Sequence, residues 1–281
     1  MAYTTLVSTE TLHQNLQNPN WVIFDCRSSL VDHQAGLLAF QAGHIPEARY
    51  CHLEDNLSSP ITDDSGRHPL PDFDKLVTSL GNWGVDKDTQ VVVYDDAGGA
   101  YAVRLWWQLR TFGHFNVAVL DGGFQQWEKG GKPLSRTLAE ITPKTFIPNT
   151  DTTQWLPTEI IEQNLSDKKY TLLDARTPER FRGEAEPIDR VAGRIPNSIN
   201  RAFQLNLNEE GLFLSAQELR QQYDELLGDI APQDIVHLCG SGVTACHNTL
   251  AMEIAGLPDS KLYIGSWSEW IRDDKRPIAT G

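Results

Sequence analysis

The chain reads as α/β, with two tandem domains, each a mainly parallel sheet with helices on both faces. Three observations predict this. Short apolar runs at 91–94, 117–120, 170–173 and 235–238 alternate with longer amphipathic segments, and strands alternating with helices build βαβ units. Sequence blocks recur in one order at nearly fixed spacing. A length of 281 residues allows two domains of ordinary size, each with its own core.

The repeat is visible from the N-terminus onward. Val22-Ile23-Phe24-Asp25-Cys26-Arg27 answers Leu172-Leu173-Asp174-Ala175-Arg176, and Gly43-His44-Ile45-Pro46 answers Gly193-Arg194-Ile195-Pro196. Val91-Val92-Val93-Tyr94-Asp95 answers Ile235-Val236-His237-Leu238-Cys239, with Asp95 and Cys239 144 positions apart. Asp121-Gly122-Gly123-Phe124-Gln125-Gln126-Trp127 answers Tyr263-Ile264-Gly265-Ser266-Trp267-Ser268-Glu269-Trp270, with the final tryptophans 143 apart. Four blocks in register mark a duplication. The expected division is a first domain over 1–135, a linker over 136–155 and a second domain over 156–281. The stretch around the linker carries Pro133, Pro143, Pro148 and several threonines without periodicity.

Each half should place a helix after its central strand: 101–112 in the first, and 246–255 in the second, ending at Gly256 and Pro258. Between strand and helix in the second half lies Cys239-Gly240-Ser241-Gly242-Val243-Thr244-Ala245. Small residues there leave backbone N–H groups free to curl around one atom, and the helix adds its positive end. Such surroundings favour a thiolate over a thiol, and the thiolate is the nucleophile. Ligands of parallel sheets bind beyond the carboxyl ends of strands, where Cys239 falls.

Composition narrows the possibilities. The net charge of −14, without a Lys/Arg-rich run, argues against a nucleic-acid partner. No run approaches the ~20 apolar residues that span a bilayer, and the N-terminus lacks a signal pattern, so a soluble, cytoplasmic protein is expected. Four cysteines (Cys26, Cys51, Cys239, Cys246) do not form a disulfide framework. His237, Cys239, Cys246 and His247 lack the ligand pairing of structural zinc, and no dinucleotide or P-loop fingerprint is present; no metal or organic cofactor is expected.

A cysteine in such a loop suits two reactions. Phosphate-ester cleavage needs an arginine six residues on, where this chain has Ala245. Sulfur transfer needs only that the cysteine carry a persulfide, a diffuse anion that N–H donors can hold. Glycines at 240 and 242 let the amides approach closely.

With these residues in view, the chain resembles the tandem rhodanese-type sulfurtransferases, and within them the 3-mercaptopyruvate sulfurtransferase branch. Cys-Gly-Ser-Gly-Val-Thr-Ala at 239–245 carries the resemblance, with the blocks at 43–46, 121–124, 174–176, 180–183 and 265–270. Thiosulfate-preferring members carry basic residues after the cysteine; here Gly240 and Ser241 follow. The resemblance implies two rhodanese-like domains, the first non-catalytic with Asp95 in place of cysteine. It implies Cys239 as nucleophile, with Gly240, Gly242, Val243 and Thr244 framing the bound sulfur. It further implies Arg180 as a substrate arginine and Ser241 as a proton-relay hydroxyl, linked to His68 and to an acid at Glu54 or Asp55. The family's second substrate arginine follows a Glu-Pro pair; here Ile188 and Asp189 follow Glu186-Pro187, leaving Arg190 or Arg182 for that role.

The implied partners are a small-molecule sulfur donor and a thiol or cyanide acceptor, with a thioredoxin-like protein as one possible acceptor. Thiosulfate as donor and a non-catalytic binding module are the alternatives.

Overall fold

Val91-Val92-Val93 and Val117-Ala118-Val119 have no polar face, so strands built from them need cover on both sides. The computed structural model, which describes residues 2–281, supplies it. In chain order the first five strands are β1 (Leu6–Val7), β2 (Trp21–Asp25), β3 (Ala48–Tyr50), β4 (Gln90–Tyr94) and β5 (Val117–Leu120). They pair in parallel in the order β1-β5-β4-β2-β3. Helices α1 (Thr9–Gln14), α2 (Ala35–Ala42), α3 (Phe73–Asn82), α4 (Ala102–Thr111) and α5 (Gly123–Lys129) flank them. The second sheet holds β6 (Thr171–Asp174), β7 (Ile199–Asn200), β8 (Ile235–Leu238) and β9 (Lys261–Leu262), ordered β7-β6-β8-β9 and again parallel. Its helices are α6 (Thr158–Asp167), α7 (Pro178–Arg182), α8 (Ala216–Leu227), α9 (Ala245–Ile254) and α10 (Ser266–Trp270).

The chain forms two compact units that do not follow chain order throughout. One comprises residues up to Ser59, Leu70–Asp151 and Glu209–Leu212; the other comprises Pro60–Pro69, Thr152–Asn208 and Phe213–Gly281. Three segments therefore fall differently from the division at 135 and 155, the shortest being Glu209–Leu212, which joins the first unit. Residues 60–69 belong to the second unit. Residues up to 151 lie on the first unit, where Lys144 N–H donates to the Gly81 carbonyl and Asn149 N–H to that of Phe112. The stretch docks by donating backbone N–H groups to carbonyls at the C-terminal ends of α3 and α4, contacts that no periodicity announces.

Each unit buries its own core. Ile23, Val92, Leu120 and Trp127 belong to the first; Leu172, Val236, Trp267 and Trp270 to the second. The repeated Asp-x-Arg is a latch. Arg27 is bound to Asp25 at 2.6 Å and donates to the Gly43 carbonyl at 2.7 Å, while its guanidinium lies over Phe124. Arg176 does the same with Asp174 (2.8 Å), Gly193 (2.8 Å) and Trp267. Both pairs are buried, so removing one partner would strand a charge in the interior.

His237, in the middle of β8, is fully buried; Nε2 bonds to Ser260 at 3.0 Å and Nδ1 has no hydrogen-bond partner. Burial keeps the ring neutral, with its pKa pushed down to about 3. Because an unfolded histidine titrates near ~6.5, the unfolded chain takes up a proton first as pH falls. Stability is therefore lost progressively below ~6.5 and down to about 3. His237→Gln should flatten this loss, by up to ~1.4 kcal/mol per pH unit. Urea midpoints measured between ~pH 6 and ~pH 4 check this; an unchanged slope would refute it.

Candidate active site

The loop between β8 and α9 and its counterpart between β4 and α4 show what this backbone is shaped to hold. In the first unit Asp95 is fully buried. Its Oδ1 accepts N–H groups of Ala97 and Gly99, and its Oδ2 those of Tyr101 and Ala102, each at 2.8 Å. Burial pushes this carboxyl above the usual range, and the four amides oppose that shift. The loop is thus a nest for an anion.

In the second unit Cys239 takes the place of Asp95. The Ser241 amide, counterpart of Ala97, points at Cys239 Sγ at 3.4 Å. One difference is local. Cys246 N–H donates to the Val243 carbonyl at 3.1 Å, whereas its counterpart Ala102 serves the carboxylate. Cys239 is 2% exposed, so the sulfur lies at the floor of the loop.

The two glycines serve different needs. Gly242 has φ +74°, and a Cβ there would meet the Ile264 carbonyl oxygen at 2.3 Å, so both conformation and space demand glycine. Gly240 is absent from the positive-φ positions. Its constraint is space: a Cβ would stand 2.7 Å from Arg67 Nη2 and 3.4 Å from Arg180 Nη2. Val243 is buried and Thr244 half-buried at the start of α9.

Ser241 and His68 meet, with Oγ and Nδ1 2.7 Å apart and both residues buried. His68 comes from the 60–69 segment, which the second unit absorbs. Gly66 N–H donates to Glu269 (3.3 Å), Arg67 N–H to Ser268 Oγ (3.0 Å) and Arg272 to the Ser65 carbonyl (2.9 Å). Glu54 and Asp55 lie in the first unit. There Asp55 meets His33 at 3.1 Å and His52 at 3.5 Å, and Glu54 meets His33 at 3.6 Å. Their amides donate to His52 Nδ1.

The arginines sort by neighbour. Arg180 stands beside Gly240, its guanidinium bound to Glu186 at 2.8 Å and Asp189 at 3.2 Å. Arg190 turns instead to the Ile271 carbonyl and to Asp274, and Arg182 to Glu184. The guanidinium that does join Arg180 at the loop is Arg67, which the sequence does not mark because its spacing to Cys239 is too long for any local motif. Ser266 was missed as well. It adopts φ +53°, and its hydroxyl accepts the Cys239 N–H at 3.1 Å. Its counterpart is Gly123, and a non-glycine where the other copy has glycine was the available signal.

Comparison with known proteins agrees with this architecture. The rhodanese-like domain family matches residues 8–130 and again 157–273. A probable 3-mercaptopyruvate sulfurtransferase of Pseudomonas aeruginosa is 42% identical over 283 residues, covering 100% of both chains. The thiosulfate sulfurtransferase of Rattus norvegicus is 34% identical, covering 96% of this chain and 93% of its own. The structure of 3-mercaptopyruvate sulfurtransferase from Leishmania major superposes with a TM-score of 0.86 at 27% identity, over 98% of this chain and 76% of that one. The chain belongs to the rhodanese-like family and carries two copies of its domain.

Proposed function

We propose that the protein is a sulfurtransferase that takes sulfur from 3-mercaptopyruvate onto Cys239 and passes it to a thiol or cyanide. The observation that carries this reading is the pair of nests. A carboxylate oxygen stands two bonds beyond Cβ, as does the outer sulfur of a persulfide, and in the first copy four amides meet an anion at that distance. The Ser241 amide on Cys239 supports the same use in the second copy. The first domain, with Asp95 filling its nest, is then non-catalytic.

In the proposed mechanism the Cys239 thiolate attacks the donor sulfur. An S–S bond forms, the C–S bond breaks, and its electron pair leaves as the enolate of pyruvate. Protonating that enolate needs an acid within reach, and Ser241 with His68 is placed to relay the proton. An acceptor thiolate then attacks the outer sulfur and restores the Cys239 thiolate. Arg180 is the proposed dock for the donor carboxylate, as charged and bidentate recognition requires. Gly240, Gly242, Val243 and Thr244 frame the sulfur.

The acceptor is a small thiol, cyanide or a thioredoxin-like protein, and the setting a reducing cytoplasm, which suits four free cysteines. Among the described residues no helix is long and apolar enough to cross a membrane. The full-length relative named for mercaptopyruvate supports that donor over thiosulfate. Measuring pyruvate release from mercaptopyruvate against sulfite release from thiosulfate, on one preparation, tests the choice. Faster sulfite release would overturn it.

A further inference from the structure

We infer that Arg67 sets the donor's charge specificity, supplying from outside the loop the cation that a basic residue at position 240 would otherwise provide. This rests on the reading of Cys239 as the sulfur-carrying residue. The guanidinium lies where a side chain at 240 would begin, with Nη2 2.7 Å from the Cβ position of Gly240. The backbone at 240 does not demand glycine by its φ, so the guanidinium is what keeps the position empty.

Arg67 is also fixed firmly. Its Nε and Nη2 both donate to Asp189, at 2.9 and 3.1 Å, and its own N–H is held by Ser268. Asp189, with 4% of its side chain exposed, also accepts from Arg180 Nη2 at 3.2 Å. One carboxylate therefore holds two guanidinium groups beside the residue after the nucleophile. Arg67 keeps 22% of its side chain exposed, leaving an edge for an incoming anion. A planar fork of this kind matches a carboxylate better than a point charge does. The ligand class is an anionic sulfur donor with its charge a few bonds from the transferable sulfur, as in an α-keto carboxylate.

The test uses two reagents that attack the same sulfur, anionic iodoacetate and neutral iodoacetamide, with the Cys239 adduct followed by peptide mass. Arg67→Gln should lower the iodoacetate-to-iodoacetamide rate ratio about tenfold, and raise KM for mercaptopyruvate about tenfold with kcat little changed. Arg67→Lys should fall between Gln and the native chain. In the Arg67→Gln background, Gly240→Arg should return most of the lost ratio, because the space is free and the charge comes back. A ratio unmoved in both Arg67 variants, or one that Gly240→Arg does not restore, overturns the inference. If no variant releases pyruvate yet the ratio still falls, the donor reading fails while the anion-docking role of Arg67 stands. If pyruvate is released but ratio and KM stay put, the inference alone fails.

Discussion

Cys239→Ser should lose turnover with every sulfur donor, by at least about 10⁴-fold, while the protein stays folded. A serine hydroxyl cannot form a persulfide, and Cys246, the other cysteine of the second unit, turns its thiol to the Gly242 carbonyl instead. The fold should tolerate the change because what anchors this residue is backbone: its N–H goes to Ser266 and its carbonyl accepts from Trp267. A smaller side chain that still accepts the Ser241 amide should alter stability by no more than about 1 kcal/mol. Intact-mass analysis after donor treatment completes the test. The native chain should gain about 32 Da, one sulfur atom, and the serine variant nothing. Substantial residual turnover in the variant would end the Cys239 mechanism, and a native chain without the adduct would favour a binding module.

Asp95→Ala carries the largest expected loss of stability. The substitution removes the one side chain shared as acceptor by four backbone N–H groups, a carboxylate that is itself fully buried. An orphaned buried donor costs about 1–3 kcal/mol, and loop relaxation or an entering water would recover part of the sum. The expected destabilisation is about 3–5 kcal/mol, comparable with breaking a buried ion pair. Asp95→Asn should fall between, since its amide oxygen still serves two of the donors while its NH₂ faces the other two. Urea denaturation, following the loss of native signal at fixed pH, measures both. An Asp95→Ala variant as stable as the native chain would mean that the nest does not need an anion, and the comparison with Cys239 would lose its force.

Much of the fold was legible because its signals are local. The strands at 117–120 and 235–238 are found as predicted, that at 91–94 begins one residue earlier, and that at 170–173 is shifted forward by one residue. Helix 246–255 begins at Ala245 and ends at Ile254. Periodicity decides such elements within a few residues. The Asp-x-Arg blocks were legible as a repeat but not as a latch, because the carbonyls that complete them, Gly43 and Gly193, come from a different stretch of chain.

The sequence by itself determined the duplication, the parallel α/β halves and the cysteine in a glycine-framed loop, because each rests on short blocks of neighbouring residues, read singly or matched between the halves. Only the tertiary structure decided which cations stand over that loop. As letters, Arg190 and Arg182 fit the role, and nothing near Cys239 in the chain marks Arg67. Arg190 follows the Glu-Pro pair closely but is drawn to Ile271 and Asp274. Arg67 is far away in sequence, yet the 60–69 segment folds onto the second unit and sets it beside Gly240. The physical reason is that a guanidinium reaches many ångströms from its Cα, so the site it serves depends on which carboxylate and which backbone hold it.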